Sequence, residues 1–437
     1  MAWVLIAFIA VYSIDIGHGF IKDDFSWILH RPTTLTAAFT DTPMGFFRPL
    51  VALSFELNER LFGLAPAPYA WTNLLCAAAI AVLVAATTAS LGFGRLGGAF
   101  AAGLWAFNFH GINMALLWTS GRTSLVGALG AAAAALAFSR ARYRLAGVCV
   151  LAALLGKEEP LLLPVVFAAW AILDARAESR ALAAAALRAA WPSFLAVAVY
   201  FVLRSRTDAF TPATAPDVYQ LHAGAVIANA VQYLDRALTF TAAVVGLAWL
   251  VFSRHRLRTD ELERRTIAKG LVWLVLGFAL TIMIASRSSL YAVYPSIGAA
   301  LVGVAVGRAL WRTIPDARRG TACAAALALP LVLWPVYHAR NQRLKNEGAL
   351  STTLLARVER ELTLRPSLAR IVVYDDPAAR PSAASALGET LPDAVFLTTG
   401  RHMPALIVPV SPPAFPERDG DNETLELLVA EGAVKAR

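Results

Sequence analysis

Long apolar runs dominate this chain, and short polar stretches separate them. Runs near 69–91, 96–117, 122–138, 145–156, 160–173, 190–203, 238–252, 270–285, 290–307 and 321–338 reach or approach the roughly 20 residues that a membrane-crossing helix needs. With the opening segment, Ala2 to about Ile16, the pattern predicts about eleven spans. That opening segment lacks the basic start and the cleavage site of a signal peptide. It is expected to remain as a helix that either reaches Phe20 or begins upstream of an over-trimmed start. Between it and the second run the polarity is mixed. There Leu50, Leu53, Leu57 and Leu61 recur at three- and four-residue steps, which predicts a helix from Pro49 to Leu61 lying on the membrane surface or packed on other loops. After 338 the pattern changes. Leu350–Leu364 has helical spacing, and short β-rich runs at 370–374, 394–397 and 406–410 are set apart by Pro, Gly and Asp. The expected architecture is an all-α polytopic membrane region over 1–338, with a long first outer loop at 18–67, and a small C-terminal α/β extracytoplasmic domain over 339–437.

Composition agrees. The 437 residues are 58% hydrophobic and only 16% charged, against about 25% charged in ordinary soluble domains. A net charge of +9 would suit nucleic acid, but the basic residues sit in short clusters between apolar runs and no base-reading motif accompanies them. Their distribution is a topology signal. Clusters such as Arg140, Arg142 and Arg144, or Arg176, Arg180 and Arg188, or Arg254–Lys269, or Arg308–Arg319 fall in alternate connections, which the positive-inside rule assigns to the cytoplasm. The N-terminus is then cytoplasmic, and the first loop and the tail lie outside, as in a multi-pass protein of a bacterial-type inner membrane. Cys76, Cys149 and Cys323 each lie inside an apolar segment, without the spacing of a disulfide framework or a zinc site. No histidine pair has metal-ligand spacing. The Asn422-Glu423-Thr424 sequon is a low-information match.

The expected outer segments carry the chemistry. Asp23 and Asp24 stand side by side just beyond the first apolar segment. Two adjacent carboxylates there read either as a solvated turn capping a helix or as a general base at the membrane surface. Arg48, Arg122, Lys157, Arg204, Arg206 and Arg287 fall on the same side. Arginine and lysine at headgroup level are natural partners for a lipid phosphate, and cations around a carboxylate base suit a reaction with a phosphate leaving group. The paired carboxylates could also take a divalent cation, magnesium or manganese, although no second ligand set is visible. Asp375-Asp376-Pro377 follows a β-rich run and reads as a turn.

The run Phe47-Arg48-Pro49-Leu50, Ser54, Leu57-Asn58, Leu61-Phe62-Gly63-Leu64, Pro66, Tyr69 and Thr72-Asn73-Leu74-Leu75 resembles the first loop and second span of GT-C-type glycosyltransferases. The relevant branch contains the transmembrane-and-tetratricopeptide O-mannosyltransferases and their bacterial cousins, the dolichyl-phosphate-mannose protein mannosyltransferase-like family. Trp118, Ser120-Gly121-Arg122-Thr123, Lys157-Glu158 and Tyr294-Pro295-Ser296-Ile297-Gly298 follow in the family's order, so the resemblance covers about residues 14–310. It implies a GT-C-like membrane hexosyltransferase that moves a sugar from a polyprenyl-phosphate-linked donor to a hydroxyl of a protein or envelope glycan, with inversion. It also implies a first-loop acid, Asp23 or Asp24, as base, and Arg48, Arg122, Lys157 and Arg287 on the lipid phosphate. Glu158, Tyr291 and His110 are accessory candidates.

The chain departs from the family in three places. The stretch Phe109-His110-Gly111-Ile112-Asn113-Met114 has Met114 where a glutamate is expected and its histidine out of register. The Arg-Tyr-x-Tyr spacing before Tyr294 is missing, and so is any repeat near 34 residues. Two rivals therefore stand beside the transferase: a catalytically silent envelope-assembly scaffold, and a transporter or flippase for a lipid-linked substrate. A transporter would place ionisable groups near the middle of its spans, whereas here they lie at the outer ends.

Overall fold

The computed structural model describes residues 1–175, 179–210, 221–253, 257–411, 413–416, 423–430 and 432–437. Arg176, Arg254, His255, Arg256 and Asn422 lie outside the described residues. The chain begins with α1 (Ala2–Ser13), followed in the first loop by α2 (Asp23–Leu29), α3 (Leu35–Thr40) and α4 (Pro49–Phe62). The apolar body then comprises α5 (Pro66–Thr88), α6 (Gly94–Ala106), α7 (Phe109–Leu117), α8 (Arg122–Ser139), α9 (Tyr143–Leu154), α10 (Leu163–Asp174), α11 (Ser179–Arg204), α12 (Val226–Ala248), α13 (Glu261–Phe278) and α14 (Ser296–Trp311). A helix of 49 residues, α15 (Asp316–Leu364), leads into the tail. The tail contains β1 (Arg370–Asp375), α16 (Ala383–Ala386), α17 (Leu391–Thr399), β2 (Ala405–Pro409), β3 (Thr424–Ala430) and β4 (Ala433–Ala436).

Among the described residues, five helical stretches are long and apolar enough to cross a membrane: Pro66–Ala106, Thr119–Ser139, Ala184–Arg204, Ala223–Phe252 and Asp316–Leu364. Shorter apolar helices at Ala2–Ser13, Tyr143–Leu154 and Ser296–Trp311 join them. This is an integral, multi-pass membrane protein. The expected runs fall on helices with shifted ends. The run at 96–117 is divided between α6 and α7, and the run at 270–285 leaves the helix after Phe278.

One large core joins the membrane helices, from Phe8 and Tyr12 through Trp105, Trp170 and Trp273 to Val304. A second core joins two parts that are far apart in sequence. Phe20, Phe25, Trp27, Val51, Phe55 and Tyr69 of the first loop and its flank pack with Leu354, Val358, Ile371, Val395 and Leu427 of the tail. Trp27 stacks on Phe55 with ring centroids 5.9 Å apart. Close backbone contact seals the seam. A Cβ on Gly348 of α15 would lie 2.8 Å from the Gly19 carbonyl oxygen, so only glycine fits there. The boundary expected at 338/339 falls within the continuous helix α15.

The tail is α/β, as expected, with strand order β2-β1-β3-β4. β1 runs parallel to β2 and β3, and β4 closes the edge antiparallel to β3. The expectation for 394–397 needs correcting, because that run lies in helix α17. Pro392 starts the helix, buried Leu391, Ala394 and Val395 follow helical spacing, and Gly400 ends it at φ +70°. In α4 the buried side is Val51, Ala52, Phe55 and Asn58, whereas Leu57 is 59% and Leu61 62% exposed. Of the apolar stripe expected there, Leu57 and Leu61 face outward, whereas Leu50 and Leu53 are half-buried and Leu50 packs on the membrane core.

Candidate active site

The site forms where the first loop meets the tail. Lys22, the residue before α2, has φ +48° and ψ −129°, a backbone conformation that side chains rarely adopt. Both sides of its peptide are held by the tail. Its N–H donates to the Ala386 carbonyl at 2.9 Å, and its carbonyl accepts from the Thr390 hydroxyl at 3.0 Å. One turn on, the Ser26 hydroxyl donates to Asp393 of α17 at 2.5 Å. The tail therefore fixes the direction in which α2 starts, and with it the two aspartates.

The aspartates have separate surroundings. Asp24 is 0% exposed. One carboxylate oxygen accepts from the Ile21 N–H at 3.0 Å, and the other accepts from the Ser120 N–H at 2.7 Å and the Ser120 hydroxyl at 2.5 Å. Burial pushes its carboxyl up to about 7, although these hydrogen bonds favour the charged form. Asp24 thereby ties the first loop to the turn before α8. Asp23 is only half-buried; among the described residues its carboxylate makes no ion pair, and it is held by its own backbone N–H. It lines a cavity of about 960 Å³ with Lys22, His30, Arg31, Thr390 and Asp393. Burial raises its carboxyl above the ordinary range, while Lys22 and Arg48 pull it back.

Four of the cations expected around the acids already have partners. Arg48 donates to Glu158 through Nε at 3.2 Å and Nη2 at 2.8 Å, and its guanidinium lies 4.0 Å from the centre of the Phe46 ring. Arg204 is a second partner of Glu158, at 3.5 Å. Burial would raise the Glu158 carboxyl, but Arg48 and Arg204 prevail and hold it below the usual range. Lys157 is buried against Glu159 at 2.5 Å, donates to the Ser124 hydroxyl at 2.6 Å and lies 5.0 Å from the centre of the Tyr291 ring. Burial lowers its ammonium pKa, against the pull of Glu159. Arg122 is 0% exposed. It donates to the Asn73 side chain at 2.9 Å, the Ser54 carbonyl at 3.2 Å and the Tyr69 carbonyl at 2.9 Å. With Phe55 beneath its guanidinium at 4.5 Å, Arg122 ties α4, α5 and α8 together and presents no face to a ligand in this structure.

Arg287 is exposed, in the segment before Ser296. His110 stands apart from the aspartates, bonded to Asp235 at 2.8 Å and to Arg340 at 3.1 Å. The structure thus brings Asp23, Asp24 and Arg48 together, places Glu158 behind Arg48, and leaves Arg287 and His110 in a separate group. No cluster of three or more His, Cys, Asp or Glu among the described residues is arranged to hold a metal ion. With the Asp24 oxygens engaged by Ile21 and Ser120, the adjacent pair does not converge on one ion either.

No family model and no curated protein matches the chain. A search of solved structures returned the crystal structure of ArnT from Cupriavidus metallidurans bound to undecaprenyl phosphate. It has 13% sequence identity and a TM-score of 0.47, over 92% of this chain and 85% of that one.

Sequence reasoning missed the tail's share of the site. Thr390 and Asp393 lie more than three hundred residues from Lys22 and Ser26, and no local pattern signals such a contact. It also missed Glu159, whose buried position beside Lys157 follows from Pro160 at the start of the next helical turn. Asp15 is the third omission. It is buried at the end of α1 and held by His338 at 2.8 Å, Asn341 at 2.6 Å and Lys345 at 3.3 Å, which pins α15 to the first segment.

Proposed function

We propose that this protein is a GT-C-type glycosyltransferase that moves a sugar from a polyprenyl-phosphate-linked donor to an acceptor hydroxyl at the outer face of the membrane. The observation that carries the reading is the division of labour between neighbouring carboxylates. Asp24 is sealed and triply hydrogen-bonded, while Asp23 makes no ion pair among the described residues and lines a cavity of about 960 Å³. That volume lies within the about 300–1,000 Å³ of small-ligand sites.

In this mechanism Asp23 is the base. Its carboxylate takes the proton of the acceptor hydroxyl as the hydroxyl oxygen attacks the anomeric carbon. The bond from that carbon to the phosphate oxygen breaks, and polyprenyl phosphate leaves with the bonding electrons. A single in-line displacement inverts the anomeric centre. Lys22 and Arg48 favour the charged form of Asp23 against its burial, and Glu158 holds Arg48 in place from behind. The membrane body at 1–338 would carry the lipid, and the outer tail at 339–437 would close the cavity over the acceptor. The resemblance of the first loop to the O-mannosyltransferase branch supports this assignment.

The test uses the full-length protein in lipid nanodiscs, with radiolabelled polyprenyl-phosphate sugars and an envelope extract as acceptor. Asp23→Asn is expected to cut transfer by about 100-fold or more while lipid binding and folding are retained. Wild-type turnover in Asp23→Asn would refute the assignment of the base. Lipid binding by the wild type without turnover on any donor would refute the transferase reading itself.

A further inference from the structure

A second group of cations without carboxylate partners lies away from the Asp23 cavity. Arg236 of α12 and Arg340 of α15 have no carboxylate within ion-pair distance among the described residues, and neither does Arg287. The Nη1 of Arg236 is a buried nitrogen without a hydrogen-bond partner. Arg287 and Arg340 both lie near enough to act on Arg236 electrostatically. The one carboxylate in the group, Asp235, is engaged by His110 at 2.8 Å and by the Thr239 hydroxyl at 2.5 Å. Arg340 lies 3.1 Å from Nδ1 of His110. Three arginines against one aspartate leave an excess of about two positive charges, the charge that a phosphate monoester neutralises near pH 7.

The depth of the group matches a lipid headgroup. Residues 237–253 after Arg236 carry no charge, nor do residues 320–339 before Arg340. At a helical rise of about 1.5 Å per residue these runs span about 25 and 30 Å, close to the roughly 30 Å hydrocarbon thickness of a bilayer. Each arginine is therefore the first charge met after one membrane thickness. α12 and α15 touch, and Leu247, Leu327, Leu331 and Val332 are exposed along their apolar lengths, where an acyl or isoprenoid chain can lie.

We infer that Arg236, Arg287 and Arg340, with His110, form a docking site for the phosphate monoester of a membrane-embedded lipid, its tail lying along α12 and α15. This site is separate from the Asp23 cavity and goes beyond the proposed function, on which it rests only for the choice of an isoprenoid lipid. Arg122, buried on backbone carbonyls, is not part of it.

The test measures lipid retention by the full-length protein in non-ionic micelles, using native mass spectrometry and competition binding. The probes are a short-chain polyprenyl phosphate, the uncharged polyprenol, phosphatidylglycerol and inorganic phosphate. Arg236→Gln/Arg340→Gln is expected to weaken polyprenyl phosphate about tenfold or more and to leave polyprenol unchanged. Arg236→Lys retains part of the affinity, and Arg318→Gln, at the other end of α15, matches wild type. Phosphatidylglycerol, with a single charge, binds more weakly than the monoester and loses less in the double variant. Inorganic phosphate displaces the lipid from wild type only. Equal losses for polyprenol and polyprenyl phosphate, or an unchanged affinity in a double variant that melts like wild type, would overturn the site. Because binding is read without turnover, a failure of this site is distinguishable from a failure of the transferase reading.

Discussion

Replacing Asp24 by Asn should remove a specific component of the pH dependence of stability. The Asp24 carboxyl moves from an ordinary 3.8 to about 7 on folding because it is buried. The native state therefore binds a proton more tightly than the unfolded state does. The stability this contributes is complete below pH 3.8 and is lost as pH rises through about 7. At about 1.4 kcal/mol per pH unit over a window of about three units, the linkage is worth about 4 kcal/mol, an upper bound. Other groups act in the same range. Asp23 shifts in the same direction. Glu158 and His18, both held below their ordinary values, add stability as pH rises. The informative quantity is thus the difference between wild type and Asp24→Asn, measured by equilibrium unfolding in mixed micelles from pH 4 to pH 8. The difference should move against wild type by up to about 4 kcal/mol between pH 4 and pH 7 and then level off. Near pH 7 the variant also carries a fixed cost of about 1–3 kcal/mol, because its amide must present a donor to Ile21 or Ser120. Parallel pH profiles for the two proteins, or a difference of opposite sign, would show that the three hydrogen bonds outweigh burial and that Asp24 stays ionised.

Three further outcomes follow from the same contacts. Gly348→Ala drives a methyl group into the Gly19 carbonyl, so it should cost about 1–3 kcal/mol by overpacking and expose the seam between first loop and tail to proteolysis; unchanged melting and cleavage would contradict this. Arg122→Gln should lower stability by several kcal/mol, because the Ser54 and Tyr69 carbonyls lose their donor, while the protein that remains folded binds polyprenyl phosphate with wild-type affinity; a selective loss of lipid affinity would return Arg122 to the phosphate. Thr390→Val frees the Lys22 carbonyl and should reduce kcat more than it changes KM for the lipid-linked donor, with Thr390→Ser restoring most of the loss; an equal effect of both variants on melting alone would mark a purely structural contact.

Much of the membrane body was legible because a spanning helix announces itself by length and apolarity, and each expected run contains or forms part of a helix. The helix at Pro49 was equally clear, since Pro49 starts it, Gly63 ends it and the leucines repeat. The tail was legible as a class and illegible in detail. Ala394–Leu397 is apolar and short, which suits a strand as well as a helix, and Pro392 with Gly400 decides for the helix. The roles of the charges were least accessible. From sequence, Arg122 and Arg287 are both arginines expected at an outer span end, yet one is saturated by carbonyls and the other exposed. Asp23 and Asp24 differ by one residue, and a helical step of about 100° sends one carboxylate into the protein and the other into the cavity.

Lys22 shows why the tail would belong to the proposed catalytic unit. A non-glycine residue at φ +48° costs of order 1–3 kcal/mol unless its surroundings over-determine it. Here they do, through Ala386 on its N–H and Thr390 on its carbonyl, with Ser26 and Asp393 fixing the next turn. Without the tail, the chain at Lys22 can relax into an extended conformation. α2 would then begin one residue later or point elsewhere, and Asp23 would lose its orientation toward the cavity, while Asp24 could keep its bonds to Ser120. Lys22→Gly separates the two effects. It removes the strain, so the protein should gain up to about 1 kcal/mol in stability, and it loosens the segment that aims Asp23, so turnover should fall below that of Lys22→Ala, which removes the same ammonium from beside Asp23 but keeps the restraint of a Cβ. A more stable protein with undiminished turnover would mean that the strained peptide is a by-product of packing and that Asp23 needs no help from the tail.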